Sequence, residues 1–389
     1  MLQRLTVKSN SVFLAISLVY DSNLSVNMSE NPAKRVKLEH KFGEVKQEIR
    51  VDEADYVVCN PGELIGSYRI DKKVGEGSFG RVLLATETTS GKCAALKLIK
   101  NDEAKSKVAM TEIDALAFIS RMDPQNKSLC IKMLENFISD SYVCIVFPVL
   151  GQSIFDFIRA NNFESFPIDQ TCHIAHQLCK AVDFLHRHGM THTDLKPENI
   201  LFVNSDYTTV YDSEKNCSVR RLNCTDIRLI DFGLLTRDKG PHSTIVSTRY
   251  YRAPEVILEL GWSHPCDVWS IGCIMVEIYF GHVLFDTEYD REHLAIMEKT
   301  LGSIPLSMIN ATKTNHFKNG LLDWIWNGWE GMEEQIAIFF KPLEGYMLSD
   351  SDEDVSLFEL IEKMLAYEPT KRISVSDALE HPFFNTLQS

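Results

Sequence analysis

Long apolar runs are missing from this 389-residue chain. None approaches the roughly 18 residues that cross a bilayer, so no membrane partner is expected. The longest, Val12 to Tyr20, follows Arg4 and Lys8 in the manner of a weak secretory signal. No small-residue cleavage pattern comes after it, and the stretch reads as part of an irregular leader. C-x-x-C pairs and zinc-ligand spacings are also missing among the ten cysteines, which argues against a structural zinc site. Three cysteine pairs sit seven apart: Cys172/Cys179, Cys217/Cys224 and Cys266/Cys273. The first and last fall in apolar helical stretches, where that spacing is one face, and are expected as buried reduced thiols of a cytosolic or nuclear protein. Positive charge is in deficit: 40 Lys and Arg stand against 54 Asp and Glu, a net charge of −14. Such a chain is repelled by a phosphate backbone, so direct nucleic-acid binding is not expected. Basic partners are favoured instead. Internal repeats are absent.

What is present falls into two unequal parts. Residues 1–64 form an irregular, polar extension. It contains Pro32-Ala33-Lys34-Arg35-Val36-Lys37-Leu38, a basic cluster that resembles a nuclear-import signal. From residue 65 to 389 the pattern is that of a folded domain. Tyr68–Ile70, Val82–Ala85 and Ala94–Ile99 are short β-type runs between glycine and polar turns. A helical pattern spans Ala104–Ile119, and strand-like runs follow at Ile131–Phe137 and Tyr142–Leu150. Helical patterns then dominate: Ile154–Ala160, Asp169–His188, Cys266–Phe280, Glu292–Leu301 and Val355–Leu365. The expectation is an α+β, bilobal architecture, with a small β-rich lobe over about 68–148 and a larger helical lobe over about 149–386.

The chemistry is concentrated in a few motifs. Gly75-Glu76-Gly77-Ser78-Phe79-Gly80-Arg81-Val82 fits G-x-G-x-x-G-x-V. Glycines there let backbone approach phosphates with no Cβ in the way. A dinucleotide-binding loop would need a helix next and an acid about 20 residues on. Here β-type residues follow, then Lys97 at the end of Ala94-Ala95-Leu96-Lys97. Strand alternation turns Lys97 into a cleft, where it can bridge α- and β-phosphates if a carboxylate holds it. Glu112 is placed to be that carboxylate; Asp114, two residues further, is about 200° around the helix. Thr191-His192-Thr193-Asp194-Leu195-Lys196-Pro197-Glu198-Asn199 follows, then Asp231-Phe232-Gly233, then Ala253-Pro254-Glu255. In that order they point to phosphoryl transfer from ATP. Asp194 would orient the acceptor hydroxyl and Lys196 neutralise the moving phosphoryl. Asn199 and Asp231 would hold Mg²⁺. Gly75, Glu76, Gly77, Ser78, Phe79, Gly80, Val82, Ala95, Lys97, Glu112, Phe147 and Val149 would line the ATP site. Glu255 is expected to pair with Arg372, and Asp267 to brace the catalytic loop.

These motifs resemble protein kinases, and the Asp-Leu-Lys-Pro-Glu-Asn form resembles Ser/Thr kinases. Glu292-His293-Leu294-Ala295-Ile296-Met297-Glu298-Lys299 further resembles the E-H-L-A-M-M-E-R octamer of the LAMMER, or CDC-like, kinases of the CMGC group. Ile296 and Lys299 depart from it. By itself the octamer reads as an amphipathic packing helix. Residues 191–203 and 246–258 also look like that family, and the resemblance covers roughly 53–386. It implies a bilobal kinase fold with an extended hairpin between Phe202 and Asp226 and a CMGC insert over 303–346, which carries Trp324, Trp326 and Trp329. It implies a monomeric, dual-specificity kinase that phosphorylates Arg/Ser-rich splicing factors in the nucleus, with the cytoplasm as second compartment, and whose tyrosine activity is autophosphorylation. Glu198 could contact a substrate arginine. Thr193 replaces the arginine that in most kinases grips an activation-loop phosphate, so activity is expected without such a phosphate. Ser243, Thr244 and Ile245 stand where MAP kinases have T-x-Y and the DYRK branch Y-x-Y. The alternatives are a DYRK-like kinase with other substrates and a pseudokinase scaffold.

Overall fold

The computed structural model describes residues 60–77, 80–100, 103–139, 142–212, 216–240, 242–323 and 332–387. Ser78 and Phe79 of the glycine loop, the basic cluster at 34–37, the apolar stretch at 12–20 and Trp324, Trp326 and Trp329 lie outside them.

The small lobe is a six-stranded antiparallel sheet. Its strands are β1 (Leu64–Ile65), β2 (Tyr68–Gly77), β3 (Gly80–Glu87), β4 (Cys93–Lys100), β5 (Glu135–Ser139) and β6 (Tyr142–Phe147), in the order β1-β2-β3-β4-β6-β5. Helix α1 (Glu103–Met122) lies between β4 and β5 in sequence. Strand β6 is buried along its whole length because it serves two cores. Tyr142, Cys144 and Val146 join Leu96 and Leu98 on one face; Val143, Ile145 and Phe147 join α1 and the large lobe on the other. That period of two is what strand geometry dictates. The expected strand at Ile131–Phe137 begins later, at Glu135. The start of that stretch is drawn to the large lobe, with Ile131 N–H donating to Leu229 O at 2.8 Å, and only Leu134 N–H reaches β6, at Val146 O and 2.8 Å. The expected strand to Leu150 ends at Phe147, where pairing with Ala95 stops.

The large lobe is helical. It contains α2 (Ile154–Ala160), α3 (Ile168–Arg187), α4 (Pro254–Ile257), α5 (Pro265–Phe280), α6 (Asp290–Leu301), α7 (Leu306–Ala311), α8 (Met332–Phe339), α9 (Asp352–Met364) and α10 (Val375–Leu379). Short strand pairs lie between α3 and α4. β7 (Met190–Thr191) pairs with β12 (Thr236–Arg237), β8 (Ile200–Phe202) with β11 (Ile227–Leu229), and β9 (Tyr207–Asp212) with β10 (Cys217–Leu222). The last pair is the extended hairpin. Arg220 lies over the ring of Tyr207 in the same hairpin at 4.6 Å, and Arg221 meets Asp169 of α3 at 2.5 Å, which ties the hairpin to the lobe.

Helix α5 is the axis of this lobe: every residue from Cys266 to Tyr279 is buried. Gly281 ends it with φ +88°, and a Cβ there would sit 2.2 Å from Phe163 O, so only glycine fits. Cys172, Cys179, Cys266 and Cys273 are buried free thiols, as their spacing predicts, whereas Cys224 is exposed. Arg372 donates to both Glu255 oxygens at 2.7 and 2.9 Å, the expected buried ion pair.

Candidate active site

Sheet register gathers the small-lobe residues. Gly75 faces Val82, Val82 faces Lys97, and Lys97 faces Ile145; Ala95 faces Phe147. Directly opposed residues share a face, so Val82, Ala95, Lys97 and Phe147 all stand on the face away from Leu96 and Leu98. Val149, just past β6, is 44% exposed. The glycines of the loop differ in what they do. A Cβ on Gly80 would lie 2.2 Å from Leu98 O, so the sheet itself requires that glycine. A Cβ on Gly75 would make only ordinary contact with Val82 at 3.7 Å. Nothing in the protein demands a glycine at 75, which fits a space kept clear for a ligand that approaches the backbone. Glu76 turns outward to Lys73 and Arg81, at 2.8 and 3.2 Å.

Lys97 closes the cleft. Its Nζ donates to both Glu112 oxygens at 2.7 Å and to Asp231 Oδ1 at 2.9 Å, joining α1 to the large lobe. Burial works against the ammonium, but Asp231 and Glu112 outweigh it and hold its pKa above the usual lysine range. Burial likewise pushes Asp231 up, and Lys97 more than reverses that, so the carboxylate is held below its usual range. Burial pushes Glu112 up against the pull of Lys97. Asp114 is exposed and plays no part.

The catalytic loop hangs from one buried carboxylate. Asp267 Oδ2 accepts the His192 N–H at 2.8 Å, and Oδ1 accepts the Thr193 N–H at 2.9 Å. Burial would raise the Asp267 pKa, but His186, His192 and these N–H donors hold it low. Thr193 sits at φ +68° and Asp231 at φ +63°. A β-branched residue in the left-handed region is a strained outlier, and such outliers cluster at functional sites. Thr193 is held there by Asp267 and by its own hydroxyl, which donates to Leu234 O at 2.8 Å.

Asp194 is the hub. Lys196 Nζ donates to its Oδ2 at 2.7 Å; Thr248 donates to its Oδ1 through the hydroxyl at 2.6 Å and the backbone N–H at 3.1 Å. Lys196 also reaches the Thr248 hydroxyl at 3.1 Å. Burial lowers the Lys196 pKa, but Asp194 turns the balance, and the ammonium is held above its usual range. Asn199 commits its amide nitrogen to Asp194 O at 2.9 Å, which leaves the amide oxygen as its free acceptor. That oxygen and the Asp231 carboxylate form a hard, all-oxygen donor pair. Such a pair suits Mg²⁺, which takes one or two protein oxygens and completes its shell with phosphate and water.

Thr248 and His186 were not singled out by sequence. Thr248 is 54 residues from Asp194, and only the fold brings them together. His186 lies on α3, 3.0 Å from Asp267 Oδ2. The octamer at 292–299 packs, as its amphipathic pattern suggests: His293, Leu294, Ala295, Ile296 and Met297 are buried, and Glu298 accepts the Ile304 N–H at 3.0 Å.

Known proteins resemble this chain over most of its length. A family model described as the protein kinase domain matches residues 68–384. The serine/threonine-protein kinase Doa of Drosophila melanogaster is 50% identical over 354 residues, which are 89% of this chain and 42% of Doa. The human dual specificity protein kinase CLK2 is 49% identical over 344 residues, 88% of this chain and 68% of its own length. A solved kinase domain superposes with a TM-score of 0.78 at 33% identity, covering 86% of this chain and all of that one.

Proposed function

This chain belongs to the protein kinase family, among the dual-specificity kinases of the Doa and CLK type, and from that premise we propose that it transfers the ATP γ-phosphoryl group to serine and threonine in Arg/Ser-rich proteins such as splicing factors, with tyrosine reached by autophosphorylation. The protein kinase domain binds ATP. The observation that carries the proposal is the Lys97 ammonium, shared between Glu112 and Asp231 with Asp194 ionically held below. Lys97, fixed by Glu112, is placed to grip the α- and β-phosphates. Asp194 orients the acceptor hydroxyl and takes its proton. Lys196 balances charge on the moving phosphoryl. Asn199 and Asp231 would hold Mg²⁺, which neutralises phosphate charge when bound. No step needs Ser243 or Thr244 to carry phosphate, because Thr193 offers no cation to receive it.

Charge supports the choice of substrate. Glu198 is solvent-exposed beside the catalytic loop. Glu277 on α5 is buried, accepts the Tyr251 hydroxyl at 2.7 Å, and is pushed up to about 7 by burial, with the Glu198 charge adding to the shift. A substrate guanidinium beside the exposed Glu198 would pair with its charge. The basic cluster at 34–37 supports a nuclear setting, and the chain is proposed to act as a monomer. The test is transfer of labelled γ-phosphate to an Arg/Ser-repeat peptide beside an acidic scrambled peptide. Selective labelling of the first is expected; equal labelling of both would remove the substrate proposal and leave the kinase in place.

A further inference from the structure

Thr193 cannot bind an activation-loop phosphate, yet the segment after Asp231 is tied down. Its backbone is held at Leu234 by the Thr193 hydroxyl, at Thr236–Arg237 by β7, and at Asp238, whose N–H donates to Gly189 O at 3.1 Å. Beyond these, two aromatic side chains from the loop ahead of α5 reach it. Trp262 Nε1 donates to Ser243 O at 2.8 Å, and the Trp262 ring lies 4.4 Å from that of His242 at 16°. His264 Nε2 lies 2.9 Å from Asp238 Oδ1, a close charge contact rather than an aligned hydrogen bond.

His264 does not end there. Its ring stacks on that of His186, with centroids 4.4 Å apart and planes 6° from parallel. His186 Nε2 is 3.0 Å from Asp267 Oδ2, the same oxygen that accepts the His192 N–H. An unbroken series, Asp238–His264–His186–Asp267, thus runs from the activation segment to the two peptide groups that precede Asp194. One side of it borders a cavity of about 300 Å³, lined also by Asp183, Arg187 and Arg372. The His264 ring is therefore held by its two partners and not by dense packing.

We propose that His264 is a positioning residue that couples the activation segment to the catalytic loop, in the place of a phosphate–arginine contact. The inference rests on the kinase reading above. Burial and His186 hold the His264 pKa below its usual value, against Asp238 and Asp267, which favour the charged ring. The other charged groups facing the series are Asp183 and Arg187 from α3 and Arg372. Charging His264 strengthens its pull on Asp238, so the coupling grows as pH falls below 6.5.

The test uses the phosphatase-treated full chain and the variants His264→Ala, Asp238→Asn and the pair. His264→Phe, which keeps the stack and loses the charge, serves if His264→Ala does not fold. Each single variant is expected to lose about fivefold in kcat with KM for ATP unchanged, and the double variant no more than either, as for two residues of one contact. The His264→Ala loss is expected to be larger at pH 5.5 than at pH 7.5, because the ring charges below pH 6.5. Full kcat in the single variants, or losses that multiply in the double, would overturn the proposal. Lack of transfer by the unmodified chain would instead overturn the kinase reading.

Discussion

At the scale of single residues, the site is decided by which groups share a proton or a charge. Lys97 was legible from sequence because strand alternation leaves it one direction to point, and Glu112 because it falls on the right face of α1. Thr248 and His186 were not, since their partners lie 54 and 81 positions away and no local pattern marks them. The Lys97–Glu112 contact is a charge-assisted pair, of the kind that contributes about 1.5–3 kcal/mol. Glu112→Gln keeps the shape and removes the charge. It is expected to lower kcat/KM for ATP by about 10- to 100-fold, read from initial rates at varied ATP. An unchanged value would mean that Asp231 alone suffices to place the lysine.

At the scale of elements, the sequence marked the longer helices well, missed the short helices α4, α7, α8 and α10, and placed the strand ends poorly. Ile131–Leu134 has strand-like composition, yet its hydrogen bonds go to the large lobe and to β6 as a lead-in, a choice made by tertiary contacts. Helix α6 shows how a recognisable motif can be structural. His293 is fully buried against the Phe285 ring, near enough to Arg249 and Arg252 to feel their charge, and neither ring nitrogen has a partner. Burial, helped by the two arginines, depresses its pKa from 6.5 to about 3. The unfolded chain therefore takes up this proton first as pH falls below 6.5, and stability drops until about pH 3. By pH 5 this one residue should remove about 2 kcal/mol, at about 1.4 kcal/mol per pH unit. Denaturant melts of the unmodified chain and His293→Leu at pH 7.5 and 5 check it. The variant is expected to lose less stability on acidification, and parallel losses would contradict the assignment.

At the scale of the whole molecule, the two lobes are joined chemically by Lys97 and organised mechanically by α5. The bilobal plan was readable because, α1 apart, the apolar pattern has a period of two before about residue 150 and mostly 3.6 after it. The cleft geometry was not, because it depends on how the sheet meets the helical lobe. The net charge of −14 acts at this scale as well. An acidic surface speeds the approach of an arginine-rich substrate, and salt screens it. Raising ionic strength from 0.05 to 0.5 M is expected to lower kcat/KM for an Arg/Ser peptide by about tenfold and to leave kcat within about twofold. A flat salt profile would mean that recognition is not electrostatic.

The most direct test of the account is phosphoryl transfer from ATP to an Arg/Ser peptide by the phosphatase-treated full chain, measured beside Asp194→Asn. The account predicts sustained turnover by the unmodified chain without an upstream kinase, and a loss of about a thousandfold in the variant, within the range for removing a general base. Turnover that requires prior phosphorylation, or equal rates in the two proteins, would contradict it.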